Sequence, residues 1–151
     1  MSALATRLVL VGREEEVPFA RRTIVERVRA WEGSLDDETA DTIRLIVSEL
    51  VSNAVVHGEG PVTITVLARL GGLLIDVRDG ALDAPRTGSF GVENEHGRGL
   101  ALVGALAVRS GWEPFGRGKR VWAEIALLGQ TVAGGDHGPR RPGEIPLRPA
   151  V

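Results

Sequence analysis

The sequence predicts an α+β fold: a two-layer sandwich in which helices pack on one face of a mixed, mostly antiparallel sheet. The predicted elements run in the order strand, helix, helix, hairpin, long loop, short helix, hairpin. Helices that are grouped in the chain, beside strands that come mostly as hairpins, favour helices segregated to one side of a sheet. The 151 residues contain no cysteine, and they suffice for one domain that needs no disulfides.

The chain opens with a predicted strand and a predicted helix. Residues 6–12, TRLVLVG, are a short apolar run that ends in glycine, which predicts a strand at the edge of the sheet. Residues 17–33 then place apolar side chains at helical spacing, with Arg and Glu opposite. The members of this apolar face are Ala20, Ile24, Val28 and Trp31.

A second helix is predicted over residues 34–58. Ser34 is expected to cap it, with Asp37 at the third position in an arrangement that resembles a capping box. Acidic residues in the first turn suit the positive end of the helix dipole. Gly58 is placed to end the helix.

Two hairpins follow the helices. Residues 61–70 and 73–79 alternate apolar and polar side chains around a Gly-Gly turn, which predicts the first hairpin. Residues 80–99 form a glycine-rich loop, of a length that is usually either functional or disordered, and a short apolar helix follows it. The second predicted hairpin brackets the turn GRGK, and beyond residue 128 the chain is rich in Gly, Pro and Arg without periodicity, so residues 129–151 are expected to be a disordered tail.

The second helix carries a polar stripe on an otherwise apolar segment. Glu49, Asn53 and His57 recur every four residues, so they lie along one side of the helix. On a helical wheel this stripe borders the apolar arc, where the helix is expected to meet the sheet. Buried amides and carboxylates need partners. The stripe is therefore either a ligand site or a solvated helix edge, and its spacing alone does not separate the two.

Two further features carry candidate chemistry. Asp79 ends the strand LLIDVRD on the face of its apolar residues, so its carboxylate needs a hydrogen-bond donor, such as the exocyclic amine of a bound base. The alternative is a turn residue, because Asp-Gly is a strong turn signal. In HGRGLALV, Gly97 and Gly99 flank Arg98 before an apolar helix, as in a phosphate-binding turn or in a simple flexible loop.

These three features, in this order, resemble the ATP-binding domain shared by histidine kinases and gyrase-type topoisomerases, known as the Bergerat fold. The resemblance is closer to the stand-alone anti-sigma-factor serine/threonine kinases of bacteria. SELVSNAVVHG is similar to the N-box of that family, DVRDGALDAP lies at its first glycine box, GRGLALV matches its second, and GKRVWAEI resembles its last strand. On this basis residues 1–128 are assigned to a histidine kinase-like ATP-binding domain.

The resemblance implies a role for each matching residue. Glu49 would be the general base, and Asn53 would supply an oxygen to Mg²⁺ on the phosphates of ATP. Asp79, in a box that includes Ala81, would accept the adenine amine. The main-chain N–H groups of the second glycine box would bind phosphate, and residues 86–96 would cover the nucleotide. That box comprises Gly97, Arg98, Gly99 and Leu100.

The same resemblance implies a regulatory role with protein partners. A kinase of this type would bind a sigma factor and phosphorylate a serine or threonine of its antagonist, and it would often form a homodimer. The first glycine box departs from the family's Asp-x-Gly-x-Gly, because Ala81 and Asp83 replace glycines, and Arg120 stands where the family usually has Thr. This departure favours an alternative, a non-catalytic binding module. A sensor histidine kinase is the third reading and ranks last, since no helix pair with a phospho-accepting His is apparent.

Composition excludes several other classes of protein. No apolar run approaches the length of a membrane span, and the N-terminus lacks the apolar core of a signal peptide. The net charge is -2, from 18 basic and 20 acidic residues, so nothing indicates an electrostatic surface for nucleic acid. The expectation is a cytoplasmic protein that acts without direct contact to membranes or nucleic acids.

Overall fold

A computed structural model describes residues 4–31, 33, 35–82 and 102–127. The helices are α1, Glu16–Trp31, and α2, Asp37–His57. The strands are β1, Ala5–Leu10; β2, Val62–Arg69; β3, Gly72–Asp79; β4, Arg109–Phe115; and β5, Gly118–Ala126. Most of the predicted long loop and the whole predicted tail lie outside the described residues. Neither described helix combines the length and the apolar character that a membrane crossing requires.

The five strands form one sheet in the order β1-β2-β3-β5-β4. All four pairings between the described strands are antiparallel. The α+β prediction is confirmed, and β1 lies at the edge of the sheet as expected. Both predicted hairpins are present, and their turns contain Gly71 and Gly116 at φ of 79° and 57°, a left-handed conformation that favours glycine.

The core lies between the two helices and one face of the sheet. On α1, Ala20, Ile24 and Val28 are fully buried, and Trp31 is partly buried against them, as the helical spacing predicts. The sheet contributes alternate residues from its central strands. The fully buried residues of β2 and β3 on this face are Val62, Ile64, Val66, Leu73 and Ile75.

The start of α2 differs from the prediction. The N-cap is Asp36, not Ser34, and its side chain accepts a hydrogen bond from the backbone N–H of Thr39. Asp36 has the extended backbone of a cap, and it precedes a turn that already carries acidic side chains. Asp caps a helix about as well as Ser, and the helix begins two residues later than predicted. The predicted end is confirmed: Gly58 follows the last helical residue and donates to the carbonyl of Ala54 at 2.9 Å.

The entry into α1 is held by one carboxylate. Glu16 accepts hydrogen bonds from the backbone N–H groups of Val11, Gly12 and Arg13, at 3.1, 2.9 and 2.8 Å. The bond from Arg13 is the main cause that lowers the pKa of Glu16 below its ordinary value of 4.5. Because the folded pKa is depressed, the stabilisation is present above the unfolded pKa and is lost as pH falls from 4.5 through the folded pKa.

We expect Glu16→Gln to lower the urea midpoint of unfolding at neutral pH, because an amide oxygen replaces a charged acceptor of three N–H groups. The difference from the wild type should shrink as pH falls below 4.5. Urea titrations of both proteins at neutral pH and at a pH below 4.5 measure this difference. The matched control is Glu15→Gln, which removes an exposed neighbouring charge and should change the midpoint little. An equal loss in Glu16→Gln at both pH values would contradict the electrostatic explanation.

Candidate functional site

The polar stripe of α2 lies at the border of the buried arc. Asn53 is 1% exposed, and Glu49 and His57 are half-buried, so the stripe is not a solvated helix edge. Residues four apart on a helix rise by about 6 Å, so the Glu49 carboxylate and the Asn53 amide project from successive turns of one side. The predicted apolar arc is buried as expected: Ile46, Val47, Leu50, Val51 and Ala54.

Asp79 is buried at the end of β3, on the helix-facing side of the sheet. It is 7% exposed and continues the buried row of Leu73, Ile75 and Val77, as the strand alternation predicts. Its Oδ1 accepts a hydrogen bond from the backbone N–H of Ala81 at 2.8 Å. This bond turns the chain at the strand end. The turn interpretation is therefore confirmed, and the carboxylate nevertheless remains buried inside the protein.

The main partner of Asp79 is Lys119, near the start of β5. Antiparallel register sets the two residues opposite each other, and the Nζ of Lys119 lies 3.0 Å from Oδ1 and 3.0 Å from Oδ2. The approach to Oδ1 has hydrogen-bond geometry, whereas Oδ2 receives no hydrogen bond in the structure. The side chain of Lys119 is 1% exposed, and that of Asp79 is 0% exposed. A buried pair of opposite charges is thus present where the resemblance implies an adenine contact.

The C-terminal end of α2 packs directly against this pair. A Cβ added to Gly58 would lie 2.6 Å from the Cγ and 2.8 Å from the Oδ2 of Asp79. The backbone of Gly58 therefore packs close to this carboxylate, in a space that no side chain could enter. Gly80, the residue after Asp79, donates a backbone hydrogen bond to the carbonyl of Glu59 at 2.7 Å. This bond connects the loop after α2 to the end of β3. The C-terminal end of α2, which follows the polar stripe, consequently lies against Asp79 at one end of the sheet.

Of the remaining predicted site residues, the structure describes Ala81 but not the second glycine box. Ala81 is buried, and its N–H is already bonded to Asp79. The second glycine box, Gly97 to Leu100, and the predicted cover over residues 86–96 lie outside the described residues. The short apolar helix predicted after that box is described over residues 102–106, with Val103 in the core. The structure thus places the end of the helix that carries the N-box-like stretch against Asp79, and the phosphate-binding turn stays a prediction.

Sequence reasoning missed Lys119 and instead singled out its neighbour. Arg120 points to the opposite face of the sheet, where it donates to Asp76 at 3.1 Å and to Glu113 at 2.8 Å. The signal for Lys119 was available in the strand alternation. Val121, Ala123 and Ile125 are buried on one face of β5, and the same alternation places Lys119 on that face.

The residues present fit a magnesium ion that is shared with phosphate. Within the described part of the chain, no three His, Asp or Glu side chains are grouped to hold a metal by themselves. Mg²⁺ usually takes one or two oxygens from protein and the others from phosphate and water. The Asn53 amide is an oxygen donor of this kind, and the Glu49 carboxylate lies one turn before it on α2.

Comparison with known proteins identifies the family. The family model described as histidine kinase-like ATPase domain matches residues 12–125, which is well over half of the chain. The protein therefore belongs to the histidine kinase-like ATPase domain family, a class of ATP-binding domains, and its antiparallel sheet with two helices on one face agrees with this assignment. No curated protein matches the chain.

Proposed function

We propose that this protein binds Mg-ATP at the end of the sheet where α2 meets β3. One observation carries the proposal. Asn53 is buried one turn after Glu49, and the same helix ends at Gly58 against the buried carboxylate of Asp79. The proposed base acceptor Asp79, metal ligand Asn53 and second carboxylate Glu49 would thus follow one another from the C-terminal end of α2 toward its middle, in the order that base, phosphates and reacting hydroxyl require. Membership of the family supports the nucleotide class.

Each residue has a distinct task in this proposal. Asp79 orients the nucleotide by accepting from the exocyclic amine of adenine, and Asn53 holds one position on the Mg²⁺. When bound, the ion neutralises charge that develops on the phosphates during transfer. The half-buried Glu49 accepts the proton of the attacking hydroxyl. The oxygen of the attacking hydroxyl forms a bond to the γ-phosphorus while the bond between that phosphorus and the β–γ bridging oxygen breaks. ADP leaves with the electron pair of the broken bond.

We further propose that the acceptor is a serine or threonine of a regulatory protein in the cytoplasm. Resemblance to the anti-sigma-factor kinases supports this choice, with an antagonist as the substrate and a sigma factor as the sequestered partner. The retained pair of Glu49 and Asn53 favours phosphoryl transfer, because both the general base and the metal ligand are present. Dimer formation, frequent in that family, would double the partner surface.

A second function is favoured by a specific observation. Asp79, which should accept from adenine, already receives the Ala81 N–H and the Lys119 ammonium. A protein whose acceptor is engaged in this way could act by partner binding alone, without turnover.

Transfer of labelled γ-phosphate from Mg-ATP to a serine or threonine of an antagonist protein encoded nearby would support the kinase. Stable binding of that partner without any transfer would favour the non-catalytic module.

We expect Mg-ATP to raise the melting temperature of the wild-type protein. A ligand that binds only the folded state adds about 2.7 kcal/mol to the free energy of unfolding at one hundred times its Kd. Differential scanning fluorimetry over a concentration series measures the shift. Mg²⁺ alone and Mg-tripolyphosphate, which lacks the base and the ribose, are the controls and should give smaller shifts. An unchanged melting temperature at millimolar Mg-ATP would contradict nucleotide binding.

A further inference from the structure

Lys119 has unused hydrogen-bonding capacity in a buried place. A lysine ammonium carries three N–H donors. In the described structure Nζ donates one hydrogen bond, to Oδ1 of Asp79, although the side chain is 1% exposed. A buried donor without an acceptor costs free energy. The ammonium is therefore arranged to donate to a further acceptor that reaches the end of β3.

The carboxylate beside it has matching unused capacity. Oδ2 of Asp79 is buried and receives no hydrogen bond from the residues that the structure describes, although Nζ is 3.0 Å away. On its other side the chain has a glycine, and a Cβ at Gly58 would lie 2.8 Å from this oxygen. The acceptor is thus kept clear of side chains by Gly58. A spare donor and a spare acceptor consequently stand next to each other.

We propose that Lys119 is a specificity-determining residue that donates to the ring nitrogen N1 of adenine while Asp79 accepts from the adjacent exocyclic amine. On its Watson–Crick edge adenine presents the N1 acceptor beside the N6 amine donor, the complement of the Lys119 and Asp79 pair. The inference rests on the proposed nucleotide binding and deepens it. Lys119 is the group that reads the ring nitrogen, and Asp79 reads the amine.

The first test uses the wild-type protein and three nucleotides. ATP, 1-deaza-ATP, in which a C–H replaces N1, and 7-deaza-ATP, which alters the other edge of the base, are titrated with Mg²⁺ by calorimetry. A hydrogen bond from a charged group corresponds to about 10- to 100-fold in Kd, so 1-deaza-ATP should bind weaker than ATP by this factor. 7-deaza-ATP should bind within a few-fold of ATP. Equal affinity for ATP and 1-deaza-ATP would overturn the proposal.

The second test assigns the effect to Lys119. In Lys119→Met, with folding verified by circular dichroism, ATP should bind about 10- to 100-fold weaker, and the preference for ATP over 1-deaza-ATP should disappear. A preference that survives in the variant would overturn the role of Lys119. Tighter binding of ATP would overturn it as well, because Lys119 would then compete with the base. The comparison of nucleotides on the wild type stands even where the variant does not fold.

Nucleotide binding and the role of Lys119 in recognising adenine are separated by the results on the wild-type protein. If the wild type binds none of the three nucleotides, the proposed nucleotide function fails, and the role of Lys119 fails with it. If the wild type binds ATP and 1-deaza-ATP equally, the nucleotide function stands and only the role of Lys119 is overturned.

Discussion

Glu49→Gln should retain Mg-ATP binding and lose about 10²- to 10⁴-fold in the rate of ATP turnover, the usual contribution of a general base. The amide keeps the shape of the side chain and its place on α2, but it cannot take a proton from the attacking hydroxyl or water. Phosphate release from Mg-ATP under single-turnover conditions measures the rate without a partner protein. The thermal shift with Mg-ATP measures binding in the same sample.

The control for this variant is Glu38→Gln. Glu38 is an exposed acid in the first turn of the same helix, so the change removes the same charge from α2 far from the stripe. Its turnover should stay within about two-fold of wild type, as expected for a surface substitution away from a site. A turnover rate in Glu49→Gln equal to that of the wild type would show that Glu49 is not the base. Loss of nucleotide binding in that variant would assign it a binding role instead.

The fold was predictable because its signals are periodic. The apolar spacing on α1 and the alternation along β3 each specify one buried face, and the structure buries those residues. The order of elements then leaves few ways to cover the sheet. The predicted cap at Ser34 was wrong because local signals at Ser34 and Asp36 are nearly equal, and only the path of the chain between α1 and α2 chooses between them.

The candidate site was predictable in part. Glu49, Asn53 and Asp79 were found because a polar residue on a buried face stands out against its apolar neighbours. Lys119 was missed because long cationic side chains are normally solvent-exposed, and burial of one depends on a partner in another strand. The strand order β3-β5 supplies that partner, and this order is a property of tertiary structure. Asp76 shows the same limit: it is 2% exposed on the opposite face, where Arg120 covers it.

Breaking the buried pair should cause a large loss of stability. Lys119→Met leaves the Asp79 carboxylate without its counter-charge, and Asp79→Asn leaves the ammonium without one. Removing one partner of a buried ion pair typically costs about 3–5 kcal/mol, because the other charge stays buried. We expect each single variant to lose about this much free energy of unfolding in urea titrations. The loss is a large part of the roughly 5–15 kcal/mol that stabilises a domain.

The double variant Asp79→Asn/Lys119→Met tests the cause of that loss. It removes both charges and keeps similar volumes, so its loss should fall well below the sum of the two single losses. Asp41→Asn is the matched control. It breaks the pair between Asp41 and Arg44, which is shorter at 2.7 Å but has side chains 76% and 38% exposed, and it should cost about 0–1 kcal/mol. Additive losses in the double variant would mean that the two charges do not stabilise each other. A strongly non-additive result would establish that each charge is tolerated in the interior only because the other is there.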